Sequence, residues 1–314
     1  MEPRTATLPA FAKVNLSLKV LFRREDGFHE IRSVFQTIGL HDTLDFEFTP
    51  RGRGLDLDLD DALAIDDNLV TRAARLFCEA RRVRGRLRIK LTKRIPMGGG
   101  LGGGSSDAAT VLLALPALTG KSAKLPELME MGAKLGSDVP FFLTGGTALG
   151  LGRGEELYPL PEAPAQPLLV LAPAIHVSTP AAYGALGRPQ LTSPGEFRKL
   201  SNFQSFVWQA YLASDAENDF EDAVFQLHPE LKRWQRKLER LGAQPARLSG
   251  SGAALFGVFP DRAKLQGALP QFRTEPLKVF STTTVPRRQF RARIGRSLRE
   301  HAVEDTWPPR SRYE

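Results

Sequence analysis

Residues 93–109 read KRIPMGGGLGGGSSDAA, and this glycine-rich stretch decides how the rest of the chain is interpreted. It follows RGRLRIKLT at 84–92, whose alternation predicts a half-buried strand, and it precedes AATVLLAL at 108–115, which predicts a buried helix. Glycine lets backbone amides approach an anion closely, and a helix N-terminus offers free N–H groups with about half a positive charge. A glycine-rich loop between a strand and a helix therefore predicts a phosphate-binding site.

Other kinds of glycine-rich loop fit this spacing less well. A Walker A loop begins GxxxxGK, but Leu115 occupies the position of the first glycine ahead of Gly120 and Lys121. The glycines that match GxGxxG by letter are Gly98, Gly100 and Gly103. A dinucleotide fold also needs an acidic residue about 20 positions further on, where the chain reads LTGKSAK at 118–124. The VAIK and HRD motifs of protein kinases are absent, and a flexible linker is rarely found between a strand and a buried helix.

The N-terminal segment AFAKVNLSLKV at 10–20 alternates between apolar and polar residues. A period of two predicts a strand with one buried face, and it places Lys13 beside Asn15 on the polar face. Further extended stretches at 29–38 and in LDFEF at 44–48 follow the turn RREDGF. Together these segments predict an antiparallel meander.

The remaining pattern predicts helices at 69–82, 126–135, near Ala182 and at 219–241, and strands at 167–171 and around LSGSGAALFGVF at 248–259. Asp67 and Asn68 would cap the first of these helices, and Pro116 would limit or kink the helix after the glycine-rich loop. The Pro-rich segment at 160–170 indicates a domain boundary. The predicted division is an N-terminal domain at 1–160, a C-terminal domain at 166–285 and a basic tail at 286–314.

Composition limits the class of protein. A length of 314 residues with 42% apolar and 25% charged residues is typical of a globular protein with two domains or one large α/β body. The longest apolar run, at 167–175, is far shorter than the roughly 20 residues of a membrane-spanning helix, and the first residues do not resemble a secretory signal. Cys78 is the one cysteine, which excludes an internal disulfide and agrees with a reducing cytoplasm.

The net charge of +8 raises the alternative of nucleic-acid binding. Residues 286–314 carry eight arginines against four acidic residues, so this segment supplies half of the net charge. The rest of the chain is only mildly basic. We therefore interpret the segment as a loosely held appendage, and we expect no binding to nucleic acid or membrane.

Four co-linear motifs resemble one kinase family. They are AFAKVNLSLKV with REDGFHEIRSVFQTI at 10–20 and 24–38, KRIPMGGGLGGGSSDAA at 93–109, LGSDVPFFLTGGTALGLGRGE at 135–155, and LSGSGAALF at 248–256. These segments are similar to the GHMP kinase superfamily of galactokinase, homoserine kinase, mevalonate kinase and phosphomevalonate kinase. The similarity is strongest to the branch whose acceptor is a cytidine diphosphate derivative of methylerythritol. It implies an α+β, two-domain GHMP kinase fold, with an N-terminal half like domain 2 of ribosomal protein S5 and a ferredoxin-like C-terminal half.

The resemblance implies transfer of the γ-phosphoryl group of ATP, which brings Mg²⁺ with it, to the 2-hydroxyl of that acceptor in the non-mevalonate isoprenoid pathway. The partner would be a small molecule with a cytidine diphosphate moiety, bound by a cytoplasmic monomer or weak homodimer. No Cys or His cluster has metal-ligand spacing, so the protein itself is expected to hold no metal. One alternative is an acceptor such as homoserine or a mevalonate derivative, which has no base to stack on the turn DGFH. Another is a basic nucleic-acid-binding module that uses the S5-like surface.

The family pattern implies that Lys13 and Asp138 are catalytic. Asp138 would contact the acceptor hydroxyl, and Lys13 would orient that hydroxyl and stabilise charge on the γ-phosphoryl group. Without the resemblance, Asp138 is typical of a helix N-cap and Lys13 of a solvated charge on a strand. The apolar residues that follow Asp138 would desolvate its carboxylate. Asn15 would bind the substrate, and the turn at 249–252, otherwise a plain hairpin, would close over the phosphates.

The same pattern implies residues that bind the two substrates. His29 would recognise the cytosine edge, with Phe28 and Tyr183 flanking the base and Thr179 nearby. The family usually has tyrosine where Phe28 stands, which keeps the ring for stacking and loses the hydroxyl. Asn68 would lie near adenine, against its alternative role as a helix cap. The implied ATP contacts in the loop are Pro96, Met97, Gly98, Gly99, Gly100, Leu101, Gly102, Gly103, Gly104, Ser105 and Ser106.

Overall fold

The computed structural model describes residues 2–50, 54–61, 67–187 and 217–301. Within these ranges the chain forms two β-sheets with helices packed against them, which agrees with the expected α+β architecture. The strands of the N-terminal sheet are β1 (Arg4–Arg23), β2 (His29–Thr49), β3 (Leu55–Asp61), β4 (Gly85–Thr92), β5 (Thr147–Leu151) and β6 (Glu156–Pro159). Strand β1 pairs antiparallel with one edge of β2, while β4 and β5 share the other edge. Strand β3 lies parallel to β4, and β6 forms a hairpin with β5.

The predicted meander is wrong, because residues 29–49 form one continuous strand that pairs with β1 throughout. The register of β1 shifts between Phe11 and Lys13 and again between Asn15 and Ser17. Bulges of this kind break the strict alternation of a strand and re-aim its side chains. As a result Lys13 and Asn15 are buried, with 4% and 1% of their surface exposed, and the interpretation of Lys13 as a solvated charge is wrong.

The helices that pack with this sheet are α1 (Leu69–Ala80), α2 (Gly103–Thr119), α3 (Leu125–Leu135) and α4 (Val139–Thr144). The alternation predicted for β4 is confirmed, since its apolar residues are buried and its basic residues are not. Helix α2 is buried at every position from 106 to 118, as its apolar sequence predicts. Pro116 lies inside α2 and does not end it. The helix ends at Gly120, whose φ of +69° is typical of a C-terminal cap.

The second sheet contains β7 (Pro167–Pro173), β8 (Ala246–Leu248), β9 (Leu255–Val258) and β10 (Leu277–Thr283). Its order is β10-β7-β9-β8 with antiparallel neighbours, an arrangement typical of a ferredoxin-like βαββαβ fold. Among the described residues, the helices of this half are α5 (Thr179–Ala185), α6 (Phe220–Leu227), α7 (Pro229–Arg240) and α8 (Arg262–Ala268). The single helix predicted at 219–241 is therefore two helices. Pro229 begins α7, because proline suits the first turn of a helix, where its missing N–H costs nothing.

An apolar cluster joins the two sheets. It includes Ala12 and Val14 of β1 together with Val170 of β7 and Phe256 of β9, all fully buried. The Pro-rich segment at 160–170 begins just after β6 and runs into β7. The domain limits at 1–160 and 166–285 stay a prediction.

The interpretation of residues 286–314 as a loosely held appendage is wrong for the part that the structure describes. Helix α9 (Arg287–Ser297) and a short 3-10 helix at Arg299–His301 follow β10. Phe290 and Ile294 of α9 belong to the apolar cluster of the N-terminal sheet, with 4% and 1% of their surface exposed. The Phe290 ring lies 5.7 Å from the Phe11 ring. Residues 302–314 lie outside the described residues.

Two further expectations concern membrane-spanning helices and the cysteine Cys78. In the described ranges, no helix has the length and apolar character needed to cross a membrane. Cys78 is 2% exposed within α1, and burial raises the pKa of its thiol to about 12. The thiol therefore packs in the core as a small apolar group.

Phe290→Ala should lower the free energy of unfolding by about 3 to 5 kcal/mol, because it removes a buried ring that anchors α9 to the N-terminal core. Chemical denaturation measures this change. The matched control is Tyr158→Ala, which truncates a ring that is 53% exposed and should cost no more than about 0.5 kcal/mol. Equal effects of the two substitutions would show that α9 is only loosely attached.

Candidate active site

A cleft of about 840 Å³ opens where segments of both sheets meet. Its lining combines strands β1 and β2, the glycine-rich loop, the start of α4, the β5–β6 turn, helix α5 and the turn at 249–252. The structure therefore brings together segments that are far apart in sequence. The predicted site residues that line the cleft are Lys13, Asn15, Phe28, His29, Gly100, Gly102, Ser105, Asp138, Thr179 and Tyr183.

Lys13 is the buried cation of the cleft. Its Nζ donates to Asn15 Oδ1 at 2.6 Å and lies 3.6 Å from Asp138 Oδ2. Its backbone N–H donates to the carbonyl of Leu101 at 3.0 Å, which ties β1 to the glycine-rich loop. Burial lowers the pKa of Lys13 below its usual range, although the Asp138 carboxylate opposes this effect. The result is a positive charge held beside the loop and a carboxylate.

Asn15 orients this cation through a short chain of hydrogen bonds. Its Nδ2 donates to Ser33 Oγ at 2.6 Å, and the Ser33 hydroxyl donates to the carbonyl of Ser17 at 2.8 Å. Because these bonds fix the amide, Asn15 Oδ1 faces the ammonium of Lys13. Direct contact between Asn15 and a substrate stays a prediction.

Asp138 occupies the N-cap position of α4, but its side chain makes no capping hydrogen bond. The carboxylate is 31% exposed, lines the cleft and pairs with Lys13. The expectation that the following apolar residues desolvate it is wrong, because Phe141 and Phe142 point into the core, with at most 2% of their surface exposed. Asp138 is thus a partly exposed carboxylate that a ligand in the cleft can reach.

The glycine-rich loop needs glycine at two positions where the chain packs closely. Gly102 has a φ of +70°, and a Cβ there would lie 2.6 Å from the Phe142 ring. Gly100 has a φ of +74°, and a Cβ there would lie 2.0 Å from the carbonyl oxygen of Ser249. Ser249 Oγ also donates to the carbonyl of Gly100 at 3.0 Å. The turn at 249–252 therefore packs directly on the loop, which a plain hairpin would not require.

Several predicted ATP contacts do not line the cleft in this structure. Ser106 is 1% exposed and is not among the residues that line the cleft, and its N–H donates to the carbonyl of Gly102. Asn68 caps α1, since its Oδ1 accepts from Val70 N–H at 2.9 Å and its Nδ2 donates to Asp61. A contact from Asn68 to adenine stays a prediction. The other loop residues outside the lining are Pro96, Met97, Gly98, Gly99, Leu101, Gly103 and Gly104.

A buried ion network that the sequence did not reveal supports the loop from behind. Lys93 Nζ lies 2.5 Å from Asp42 Oδ2 and 2.7 Å from Asp107 Oδ2. The other oxygen of Asp42 accepts the backbone N–H groups of Arg94 and Ile95. Burial raises the pKa of Asp107 to about 7, against the opposing charge of Lys93. The network joins both ends of the glycine-rich loop to β2, and only the pairing of β2 with β4 brings Asp42 near.

The arrangement of Phe28, His29 and Tyr183 in the cleft differs from the prediction, in which Phe28 and Tyr183 flank the base. The rings of His29 and Tyr183 stack at 4.4 Å with an angle of 19°, so His29 covers a face that the prediction gave to the base. Phe28 is 52% exposed and lies under the guanidinium of Arg153. Burial lowers the pKa of His29, and nearby Arg23 adds to this effect, which favours the neutral imidazole. Thr179 Oγ1 lies 3.0 Å from the hydroxyl of Ser251.

Comparison with known proteins identifies the family of the chain. The GHMP kinases N terminal domain matches residues 68–146, and the GHMP kinases C terminal domain matches residues 200–276. A 4-diphosphocytidyl-2-C-methyl-D-erythritol kinase from Solibacter usitatus is 50% identical over 99% of this chain and 98% of its own length. One from Thermodesulfovibrio yellowstonii is 36% identical over 89% of this chain and 99% of its own length.

Solved structures give the same family and confirm the fold. A crystal structure of 4-(cytidine 5'-diphospho)-2C-methyl-D-erythritol kinase matches with a TM-score of 0.73 and 38% identity, over 88% of this chain and 98% of that chain. Homoserine kinase from Cytophaga hutchinsonii matches with a TM-score of 0.65 at 18% identity, over 90% and 95% of the two chains, which shows the fold alone. The predicted two-domain GHMP kinase fold is confirmed. The chain belongs to the GHMP kinases, within the family of the 4-diphosphocytidyl-2-C-methyl-D-erythritol kinases.

Proposed function

We propose that this kinase transfers the γ-phosphoryl group of ATP to the 2-hydroxyl of 4-diphosphocytidyl-2-C-methyl-D-erythritol, in the non-mevalonate isoprenoid pathway. The observation that carries the proposal is the pair of Lys13 and Asp138, 3.6 Å apart, beside the glycine-rich loop. Phosphoryl transfer needs an oriented hydroxyl and neutralisation of charge more than covalent help from the protein. A cation and a carboxylate next to a phosphate-binding loop supply both.

ATP would place its triphosphate at the N-terminus of α2. Gly100, Gly102 and Ser105 line the cleft there, so their backbone amides and the Ser105 hydroxyl would be available to the phosphates, and the helix dipole favours negative charge. ATP enters as its magnesium complex. The ion would rest mainly on phosphate oxygens, and the hydroxyl of Ser105, which lines the cleft, would be a further candidate ligand.

Asp138 would accept a hydrogen bond from the acceptor hydroxyl and direct its oxygen at the γ-phosphorus. A bond then forms between that oxygen and phosphorus, the bond from phosphorus to the β–γ bridging oxygen breaks, and ADP leaves. The proton of the hydroxyl passes to solvent, either directly or by way of the Asp138 carboxylate. Lys13 would stabilise the negative charge on the transferring group, at a buried position where electrostatic effects are strong. Asn15 keeps the ammonium in place.

The aromatic end of the cleft favours an acceptor with a base. Tyr183 and Phe28 offer ring surfaces, and a neutral His29 can donate and accept hydrogen bonds at a cytosine edge. Entry of the base between the rings requires His29 to leave the face of Tyr183. Homoserine and mevalonate derivatives have no such base. A glycine-lined phosphate cleft that also contains Asp138 disfavours the alternative of a nucleic-acid-binding module. The lone Cys78 agrees with a cytoplasmic enzyme, which we expect to act as a monomer or weak homodimer.

An ADP-release assay that offers the cytidine diphosphate substrate, homoserine and mevalonate in parallel tests this function. We expect acceptor-dependent ADP release only with the first compound.

Asp138→Ala should lower kcat by about 10²- to 10⁴-fold without changing affinity for a non-hydrolysable ATP analogue, because the loop and the carboxylate act on opposite ends of the transfer. Asp56→Ala, at an exposed strand position, is the control. Turnover of another acceptor, or loss of nucleotide affinity in a folded Asp138→Ala protein, would contradict the proposal.

The pH dependence tests the role of Lys13. Its ammonium must stay protonated to act, and burial lowers its pKa, so kcat should fall with rising pH before the ordinary lysine value of about 10.4 is reached. NMR titration of labelled lysine Cε carbons should find one lysine with the same midpoint. Asp138→Ala should move that midpoint lower still, because the carboxylate opposes the effect of burial. An unchanged midpoint in Asp138→Ala, or the same alkaline fall in a Lys13→Arg enzyme, would refute this role.

A further inference from the structure

The turn at 152–155, between β5 and β6, spans the distance from the base pocket to the catalytic carboxylate. At one side the guanidinium carbon of Arg153 lies 4.8 Å from the centre of the Phe28 ring. At the other side a Cβ placed on Gly154 would lie 3.9 Å from Asp138 Oδ1. No motif assigned a role to Arg153, although it lines the cleft.

Hydrogen bonds hold this turn against the strand that begins with His29. Gly152 N–H donates to Glu30 Oε1 at 3.2 Å, and the carbonyl of Gly152 accepts from Ile31 N–H at 2.7 Å. The second oxygen of Glu30 accepts from Arg24 at 2.7 Å, at the start of the turn that carries Phe28. The two turns are therefore fixed to each other through one carboxylate.

Arg153 is oriented but keeps donors for a ligand. Glu155 accepts from its backbone N–H at 2.8 Å and from its Nε at 3.0 Å. Nε is one of several N–H donors of a guanidinium, and the terminal nitrogens carry the rest in a planar fork that matches phosphate oxygens. The Arg153 side chain is 30% exposed and lines the cleft, so a ligand in the cleft can reach this side chain.

A comparison of the charged residues that line the cleft indicates which of them is available to bind a phosphate group. Among the described lining residues, the permanent cations are Lys13, Arg23 and Arg153, and the one carboxylate is Asp138. Lys13 is engaged by Asp138 and Asn15. Arg23 lies opposite His29 in the pairing of β1 with β2, which places it near the base pocket. Arg153 is thus the cleft cation that lies over Phe28, in a turn whose next residue, Gly154, approaches Asp138.

The acceptor has the same order of groups. A diphosphate joins its cytidine to the alcohol that is phosphorylated, so a molecule with its base at Phe28 and its hydroxyl at Asp138 must place the diphosphate between them. We propose that Arg153 binds this diphosphate, and that it selects acceptors that carry one. This inference rests on the proposed function. Stacking of the Arg153 guanidinium on Phe28 also holds that exposed ring in place, and it leaves the opposite face of the ring for the base.

Binding of CDP and of cytidine, measured by calorimetry, tests the proposal, because the two ligands differ only in the diphosphate. Wild-type protein should bind CDP more tightly than cytidine. Arg153→Gln should weaken CDP binding by about 10- to 100-fold, the range of a charge-assisted hydrogen bond to phosphate, and leave cytidine binding unchanged. In turnover the same variant should raise KM for the acceptor while KM for ATP stays constant. Arg23→Gln, a second cleft arginine, is the matched control and should keep the preference for CDP.

The outcomes separate the inference from the function on which it rests. A wild-type protein that binds neither CDP nor cytidine would overturn the proposed function itself. A wild-type preference for CDP that persists in Arg153→Gln, or disappears in Arg23→Gln instead, would overturn the role of Arg153 alone. Equal loss of CDP and cytidine binding in a folded Arg153→Gln protein would mean that Arg153 only supports the Phe28 ring, which also overturns the proposal.

Discussion

The hydrogen bond from the backbone N–H of Lys13 to the carbonyl of Leu101 joins the two segments on which the site depends. One is the bulged strand β1, which carries a buried ammonium, and the other is the glycine-rich loop. A buried charge is costly unless it is paired, so Lys13 needs both the carboxylate of Asp138 and the amide oxygen of Asn15. This arrangement fixes the cation, the loop and the carboxylate relative to one another.

The loop is also held from two other sides. Behind it, Lys93 links Asp42 and Asp107, so that the start of the loop and the first turns of α2 share one buried ion network. In front of it, Ser249 bonds to Gly100 and leaves no space for a larger residue. The backbone amides are therefore oriented before a nucleotide binds, which is the condition for strong electrostatic stabilisation of a transferring phosphoryl group.

Local patterns in the sequence predicted the parts of the molecule that depend on neighbouring residues. The alternation of β4 and the buried helix α2 follow from short segments. The family motifs implied that Lys13 and Asp138 act together, and the structure places both in one cleft. Long-range contacts were not predictable. Asp42 reaches Lys93 only through strand pairing, and Phe290 packs beneath β1 although its surroundings are rich in arginine. The position of Arg153 depends likewise on how the turn at 152–155 meets a distant strand.

The central claim is that the triphosphate of ATP rests on the glycine-rich loop, with its γ-phosphorus facing Asp138 across the acceptor oxygen. A crystal structure with a non-hydrolysable ATP analogue and 4-diphosphocytidyl-2-C-methyl-D-erythritol measures this directly. We expect the acceptor 2-oxygen about 3 to 3.5 Å from the γ-phosphorus and about 2.6 to 3.2 Å from the Asp138 carboxylate. A complex whose triphosphate lies away from Gly100 and Gly102, or whose 2-hydroxyl points away from Asp138, would contradict the account.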